Sequence, residues 1–455
     1  MKKSVAVLAA CGVLAAGCEK DAEDTGPAPF ESRYQALPSG TTLITGATVL
    51  TGTGERLDDA DILIVDGKIS AVGKGLAAAG ADVVDASGKW VTPGIIDVHS
   101  HLGVYPSPGT ASHSDGNEMT APVTAEVWAE HSVWPQDPGF TTALAGGVTS
   151  MQILPGSANL IGGRGVTLKN VPGRNVMDMK FPGAPHGLKM ACGENPKRVY
   201  GSQGRAPATR MGNVAGYRAA WIEAAAYRDK LEAAAKNPGT EPPTRDLRLE
   251  TLVGVLEGEI IVHNHCYRGD EMSIMLEIAK EFGYKIGTFH HAVEAYKIGD
   301  LLAENDTCAA MWADWWGFKM EAYDGIRENI ALVDRAGACA VVHSDSAIGI
   351  QRLNQEAAKV IGSAALAGMD ISPEHAIRWI TSNAAKSLGV LDQTGTLEEE
   401  KMADVVIWSG NPFSVYTRAE RVYVDGALAY ELGNDELNPV TDFSLGTAAA
   451  TGGAQ

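Results

Sequence analysis

Six polar side chains that close short apolar runs are the residues of this chain best placed to do chemistry. The stretch 91–101, VTPGIIDVHSH, ends in His99 and His101. Residues i and i+2 of an extended strand share a face, so two imidazoles stand side by side there and could hold one metal ion. Asp97 lies on the same face and could orient a ligand. The placement recurs at Lys189 in GLKMACGENPK, His263 in IIVHNH, His291 in TFHH and Asp345 in VVHSD. Taken singly, each has a bland explanation: a lone histidine is usually a satisfied polar residue, and an aspartate can cap a helix. Three neighbours leave alternatives open. His265 forms a second H-x-H with His263; His263 is preferred because it closes the apolar run, which leaves His265 behind a ligand or on substrate. His290 and His291 are adjacent, so in a strand only one of them faces inward. His343, two before Asp345, shares its face and either hydrogen-bonds to a ligand or packs in the core.

The elements that must position these residues follow a clear rhythm. From 91 to 394 short apolar runs alternate with helical stretches, which argues for βα units around a parallel sheet. The spacing predicts a helix over 270–282, with Ile274, Met275, Ile278 and Phe282 on one side and Gly283 ending it. It predicts others near 294–305, 326–336 (closed by Gly337) and from 351 onward. About eight such units fit an α/β fold of the (β/α)8 TIM-barrel type, whose active sites lie at the C-terminal ends of the strands. Segments 41–90 and 395–432 alternate apolar and polar residues and are broken by Asp66-Gly67, Ser87-Gly88 and Asp425-Gly426. They are expected to build one small β-sandwich from both ends of the chain. Segment 201–243 reads as an insertion with a helix over 214–236. Near its start lie Arg198, Arg205 and Arg210, in a solvated loop or with one arginine on a substrate carboxylate.

The chain has 455 residues, 45% hydrophobic and 20% charged, and a net charge of −19, which argues against nucleic acid as a partner. Residues 1–17 have the form of a signal peptide ending in Leu14-Ala15-Ala16-Gly17, followed by Cys18. This resembles a bacterial lipobox and implies export, a lipid on Cys18 and anchoring to a cell-envelope membrane. Residues 19–40 then read as a tether, and 433–455 as a frayed tail. Cys192, Cys266, Cys308 and Cys339 form no disulfide framework, and buried free thiols are at least as well expected as bridges.

VTPGIIDVHSH, GVTSMQILPG, IIVHNH, TFHHAVEAYKI and VVHSDSA resemble the amidohydrolase superfamily of metal-dependent hydrolases, as do ITSNAAKSLGV and GTLEEEKMADVVIWSGNPF near the C-terminus. The resemblance runs from residue 41 to about 430. GLKMACGENPKRVYG and IIVHNHCYRGDEM look most like its imidazolonepropionase- and dipeptidase-like branch. It implies His99, His101 and Asp345 on one divalent ion, with zinc the first expectation, and His263 and His291 on a second or shared ion. It selects His291 over His290. Lys189 would bridge after carboxylation by CO2 to a carbamate, with Glu194 as the competing oxygen donor. The implied activity is cleavage of an amide, cyclic amide or dipeptide-like C–N bond by a metal-activated hydroxide, Asp345 carrying the proton to the leaving nitrogen. An esterase, lactonase or phosphotriesterase on the same fold, or a non-catalytic ligand-binding lipoprotein, are the alternatives. Trp312, Trp315 and Trp316 could wall the pocket of a small-molecule substrate or only pack over the barrel's end. A homo-oligomer is left open.

Overall fold

The computed structural model describes residues 30–237 and 239–437. Cys18, the apolar stretch before it and the tail beyond residue 437 lie outside the described residues. From the N-terminal side, β1 (Thr42–Leu50), β2 (Arg56–Val65), β3 (Lys68–Gly73), β4 (Asp82–Asp85) and β5 (Trp90–Pro93) belong to one sheet. The barrel sheet follows, with strands β6 (Ile95–Ser100), β7 (Val148–Ile153), β8 (Ile161–Lys169), β9 (Gly187–Ala191), β10 (Ile261–Cys266), β11 (Ile286–His291), β12 (Cys308–Met311) and β13 (Cys339–Val342). The chain then returns to the first sheet through β14 (Val405–Trp408), β15 (Ala419–Val424) and β16 (Ala427–Glu431). β14 lies antiparallel on β5, so the two ends of the chain do build one sheet. That sheet is mixed, because β4 and β5 both run parallel to β1.

The barrel sheet keeps the order β6 to β13, with the two edge strands brought together at their ends. Asp345 N–H donates to the His99 carbonyl at 3.0 Å, and Ser344 N–H donates to Asp97 Oδ1 at 3.2 Å. Asp97 therefore clasps the backbone across the seam instead of orienting an imidazole, and burial pushes its carboxyl up to about 7. One strand departs from the parallel expectation: β8 runs antiparallel to both β7 and β9. The reason is connection length. Segment 154–160 between β7 and β8 is far below the dozen or more residues that a parallel crossover needs.

The helix after β10 spans Gly269–Phe282 and ends at Gly283, whose φ of +77° is the left-handed conformation that glycine accepts most readily. Its buried face is Met272, Met275, Leu276, Ile278 and Ala279; Ile274, expected inside, points outward and is 45% exposed. Segment 294–305 divides into a 3-10 turn, Ala295–Lys297, and a short helix, Gly299–Glu304. The insertion helix starts earlier than expected, at Arg210–Lys236, because Thr209 caps it by accepting the Gly212 N–H at 3.0 Å.

The four cysteines form two disulfides, Cys192–Cys266 and Cys308–Cys339, where free thiols had equal standing. Register explains both. Ala191 pairs with His265 across β9 and β10, so the next residues of the two strands meet; Cys308 pairs directly with Cys339 across β12 and β13. One buried apolar cluster runs from barrel residues Ile95, Leu144 and Val148 into Val406, Trp408 and Val422 of the other sheet.

Candidate active site

At the C-terminal end of the barrel strands the histidines stand in two layers. The upper layer holds His101, Asp345, His291, His343 and His265. His101 Nε2 lies 3.2 Å from Asp345 Oδ1, and His99 Nε2 lies 3.5 Å from the same oxygen. His291 Nδ1 is 3.0 Å from His343 Nε2 and 3.9 Å from Asp345 Oδ2. His99, His101 and Asp345, and separately His99, His291 and His343, bring one ligand atom each within 4.8 Å of one another. Lys189 rises from β9 to place Nζ 3.2 Å from His99 Nε2. The lower layer is His263 and His290. His290 Nδ1 is 2.9 Å from His99 Nδ1, and its Nε2 is 2.9 Å from His263 Nδ1. His263 Nε2 in turn meets the Gln152 amide at 3.2 Å.

Two expectations change here. His290 and His291 both face the interior, although they are adjacent, because the strand pleat breaks: His291 has φ +69° and Ala292 φ +39°. His263 sits one strand pair below His265, about 7 Å along the strand, with both ring nitrogens engaged. His265 is the one of the pair that reaches the upper layer, its ring centroid 4.6 Å from that of His291. Glu194 stands apart, 3.8 Å from Lys319 Nζ, on the wall of a neighbouring cavity of about 750 Å³ that Arg210, Arg268, Lys297 and Glu321 also line. The arginines are occupied or remote: Arg210 pairs with Glu271 at 3.0 Å and with Glu321, Arg205 donates to the Thr120 carbonyl, and Arg198 is exposed. Trp312 stacks on His291 at 4.3 Å and Trp315 stacks on Trp312 at 5.1 Å, which walls one side of the site; Trp316 is half exposed beside them.

Burial sets the charge of the cluster. It holds His99, His265 and His291 far below the usual imidazole range and brings His343 to about 4 and His263 to about 3. The rings are therefore neutral at physiological pH, the form that can donate a lone pair. Burial also lowers the Lys189 ammonium to about 7, with only Asp345 opposing it. Burial would raise the Asp345 carboxyl, but the hydrogen bond from His101 and the nearby His101, His343 and Lys189 hold it below the ordinary carboxylate range. His101 Nδ1 lies 2.8 Å from the Leu154 carbonyl, which can only accept, so Nδ1 carries a proton, while Nε2 faces Asp345 Oδ1. Nδ1 of His265 and Nδ1 of His343 are buried without a partner. Neutral imidazoles, one ionised carboxylate and unpartnered ring nitrogens are the donor set of a borderline divalent cation. His290, Gln152, Tyr267, Lys319 and Asn195, whose Nδ2 lies 3.4 Å from His265 Nε2, were not singled out from sequence as site residues. Only His290 carried a signal there: strand alternation allowed one of the adjacent pair to face inward, and the family resemblance selected His291.

The sequence profile of the amidohydrolase family matches residues 249–440. The chain is 31% identical over 398 residues to the amidohydrolase tasK of Hapsidospora irregularis, covering 82% of this chain; it spans only 40% of that protein's length. It is 24% identical over 398 residues to an imidazolonepropionase of Idiomarina loihiensis, covering 80% of this chain and 90% of that one. A solved amidohydrolase from Thermotoga maritima matches with a TM-score of 0.80 at 36% identity, covering 86% of this chain and 100% of the other.

Proposed function

The chain belongs to the amidohydrolase family, and we propose that it is a metal-dependent hydrolase of a cyclic amide or dipeptide-like C–N bond. The observation that carries this reading is the meeting of His99, His101, Lys189, His291 and Asp345 at the barrel mouth. His99, His101 and Asp345 would hold one ion, with Lys189 between it and a second position beside His291. His265 fits that second position better than His263, since its Nδ1 is unpartnered while His263 has both nitrogens engaged. A divalent ion, zinc in this reading, supplies Lewis acidity when bound, polarising a carbonyl and making hydroxide available near neutral pH.

The protein's own groups do the rest. Asp345 is ionised at neutral pH and a quarter exposed, so it can take a proton at Oδ2 and return it to the leaving nitrogen. Lys189, neutral above about 7, is a nucleophile toward CO2. Its nitrogen forms the N–C bond, a proton leaves, and the product is a carbamate anion suited to a cationic site. Trp312 and Tyr267, both stacked on His291, shield that ring from water. The test is a substrate panel of cyclic amides, N-acyl amino acids, Xaa-Pro dipeptides, esters, lactones and phosphotriesters. Turnover of at least one C–N substrate is expected, and turnover confined to esters, lactones or phosphotriesters would sink the assignment.

We also propose that the mature chain works outside the reducing cytosol, held to a membrane by a lipid on Cys18. The lipobox-like run and the two disulfides support this reading. No described helix is long and apolar enough to cross a membrane. Cys18→Ser is expected to move the protein from the membrane to the soluble fraction; unchanged partitioning would refute the anchor.

A further inference from the structure

We propose that the open cavity of about 750 Å³ beside the upper histidine layer is the subsite for the C-terminal portion of a peptide-like substrate longer than a dipeptide, and that Lys197 receives its terminal carboxylate. The inference deepens the C–N hydrolase reading above and rests on it for the reaction.

One helix joins the cavity to the site. Helix Glu194–Gly201 follows β9, and its first turn faces two ways. Asn195 Nδ2 lies 3.4 Å from His265 Nε2, and Asn195 Oδ1 accepts from Lys319 Nζ at 3.3 Å. Lys319 Nζ sits 3.9 Å from the centre of the Tyr267 ring, which is stacked on His291. Glu194 and Lys197, on either side of Asn195 in sequence, line the cavity. Asn195 thus stands between the upper histidine layer and the cavity wall. A small cyclic amide held at the histidines would not extend past it, whereas a longer chain would.

The lining selects the occupant. The volume lies within the roughly 300–1,000 Å³ usual for small-molecule sites. Its walls are ion pairs: Arg268 with Asp270 at 2.7 Å, Lys297 with Asp324 at 2.8 Å, and Arg210 with Glu321. Covering them with an apolar chain would strip water from charges and return no hydrogen bond, so the occupant is polar along its length, as a peptide backbone is. Lys197 is the exception on this wall. Among the described residues no carboxylate lies within ion-pair distance of it, although acids outnumber bases 56 to 37 in the chain. Glu194, one turn away, already has Lys319 Nζ at 3.8 Å. The wall therefore offers one free cation and favours an anionic end group over a cationic one. Hydrolysis adds water across the scissile C–N bond; the carbonyl fragment becomes a carboxylate and the amine fragment keeps the C-terminus. The cavity accordingly holds the leaving-amine side.

The probes are Ala-Pro, Ala-Pro-Gly and Ala-Pro-Gly-Gly, each as free acid and as C-terminal amide. Two measurements use the full-length, zinc-loaded protein: hydrolysis at the Ala-Pro bond, and calorimetric binding of analogues whose Ala-Pro carbonyl is replaced by methylene. The two longer free acids are expected to surpass their amides about fivefold in kcat/KM and in affinity, the size of one partly exposed ion pair. That acid preference should fall to near one in Lys197→Gln and persist in Lys197→Arg, which keeps the charge. Equal values for acid and amide in wild type, or an undiminished preference in folded Lys197→Gln, would overturn the proposal, as would failure of every peptide to bind. Acid-selective binding lost in Lys197→Gln, with no C–N substrate hydrolysed, would support the cavity and sink the hydrolase reading. Peptide hydrolysis without acid preference at any length would do the reverse.

Discussion

Lys169 and Lys189 are both fully buried, on adjoining strands, and both close apolar runs that look alike, VTLK and GLK. Their company differs. Lys169 Nζ donates to both Asp404 oxygens and to Asp425 Oδ1, each at 2.9 Å. Those carboxylates are held in turn by Thr394 and Tyr34. This is a satisfied ionic knot that ties β8 to the sheet built from the chain ends. Among the described residues Lys189 has only a histidine at hydrogen-bond distance, so burial drives its charge off near neutral pH. A buried lysine with two carboxylates is architecture, whereas one left with imidazoles is an amine ready to react.

The largest effect that separates the two is on turnover. Lys189→Met is expected to lower kcat/KM by roughly 10³-fold or more, as follows from losing several kcal/mol of charge stabilisation at the reacting centre. Its melting temperature should stay close to wild type, and in Lys189→Ala, which vacates the space that methionine fills, short carboxylic acids should restore part of the rate by standing in for the carbamate. Wild-type turnover in Lys189→Met would erase the distinction. Lys169→Met should do the reverse. It strands two buried carboxylates and is expected to cost about 3–5 kcal/mol in denaturant unfolding, with kcat/KM of the folded protein within about twofold of wild type. Neutralising Asp404 and Asp425 as Asn in the same chain should recover much of that loss; no recovery would mean that the knot acts through packing and not through charge.

The smallest effect is on pH. Lys189 has its folded pKa lowered to about 7, so the neutral amine grows as pH rises through that value, while an unfolded lysine stays protonated well beyond it. Burial of this residue therefore weighs most against folding below about 7, and the cost lessens as pH climbs. At fixed dissolved CO2, reactivation of decarboxylated enzyme should be roughly tenfold faster near pH 8 than near pH 6. A flat or falling profile would place the reacting amine elsewhere.

The same pair of lysines shows what could be read before the structure. Strand ends, the Gly283 and Gly337 helix stops and the return of the C-terminal segment to the N-terminal sheet follow from local spacing, and local spacing is visible in a sequence. The partners of Lys169 lie 235 and 256 residues away, so nothing near VTLK announces them. The antiparallel β8, glycine-rich at IGGRG, gave no alternation to read. The inward turn of both His290 and His291 depends on a positive φ that a histidine adopts only under tertiary constraint. Both disulfides depend on strand register. The choice between His263 and His265 turned on depth along a strand, which an H-x-H pattern leaves open.

The most direct measurement is hydrolysis of a C–N substrate by wild-type protein before and after chelator dialysis, with bound divalent metal counted in each sample. Loss of activity together with metal, and its return on adding Zn2+ and bicarbonate, is the expected result. Full turnover by protein shown to be metal-free would contradict the account.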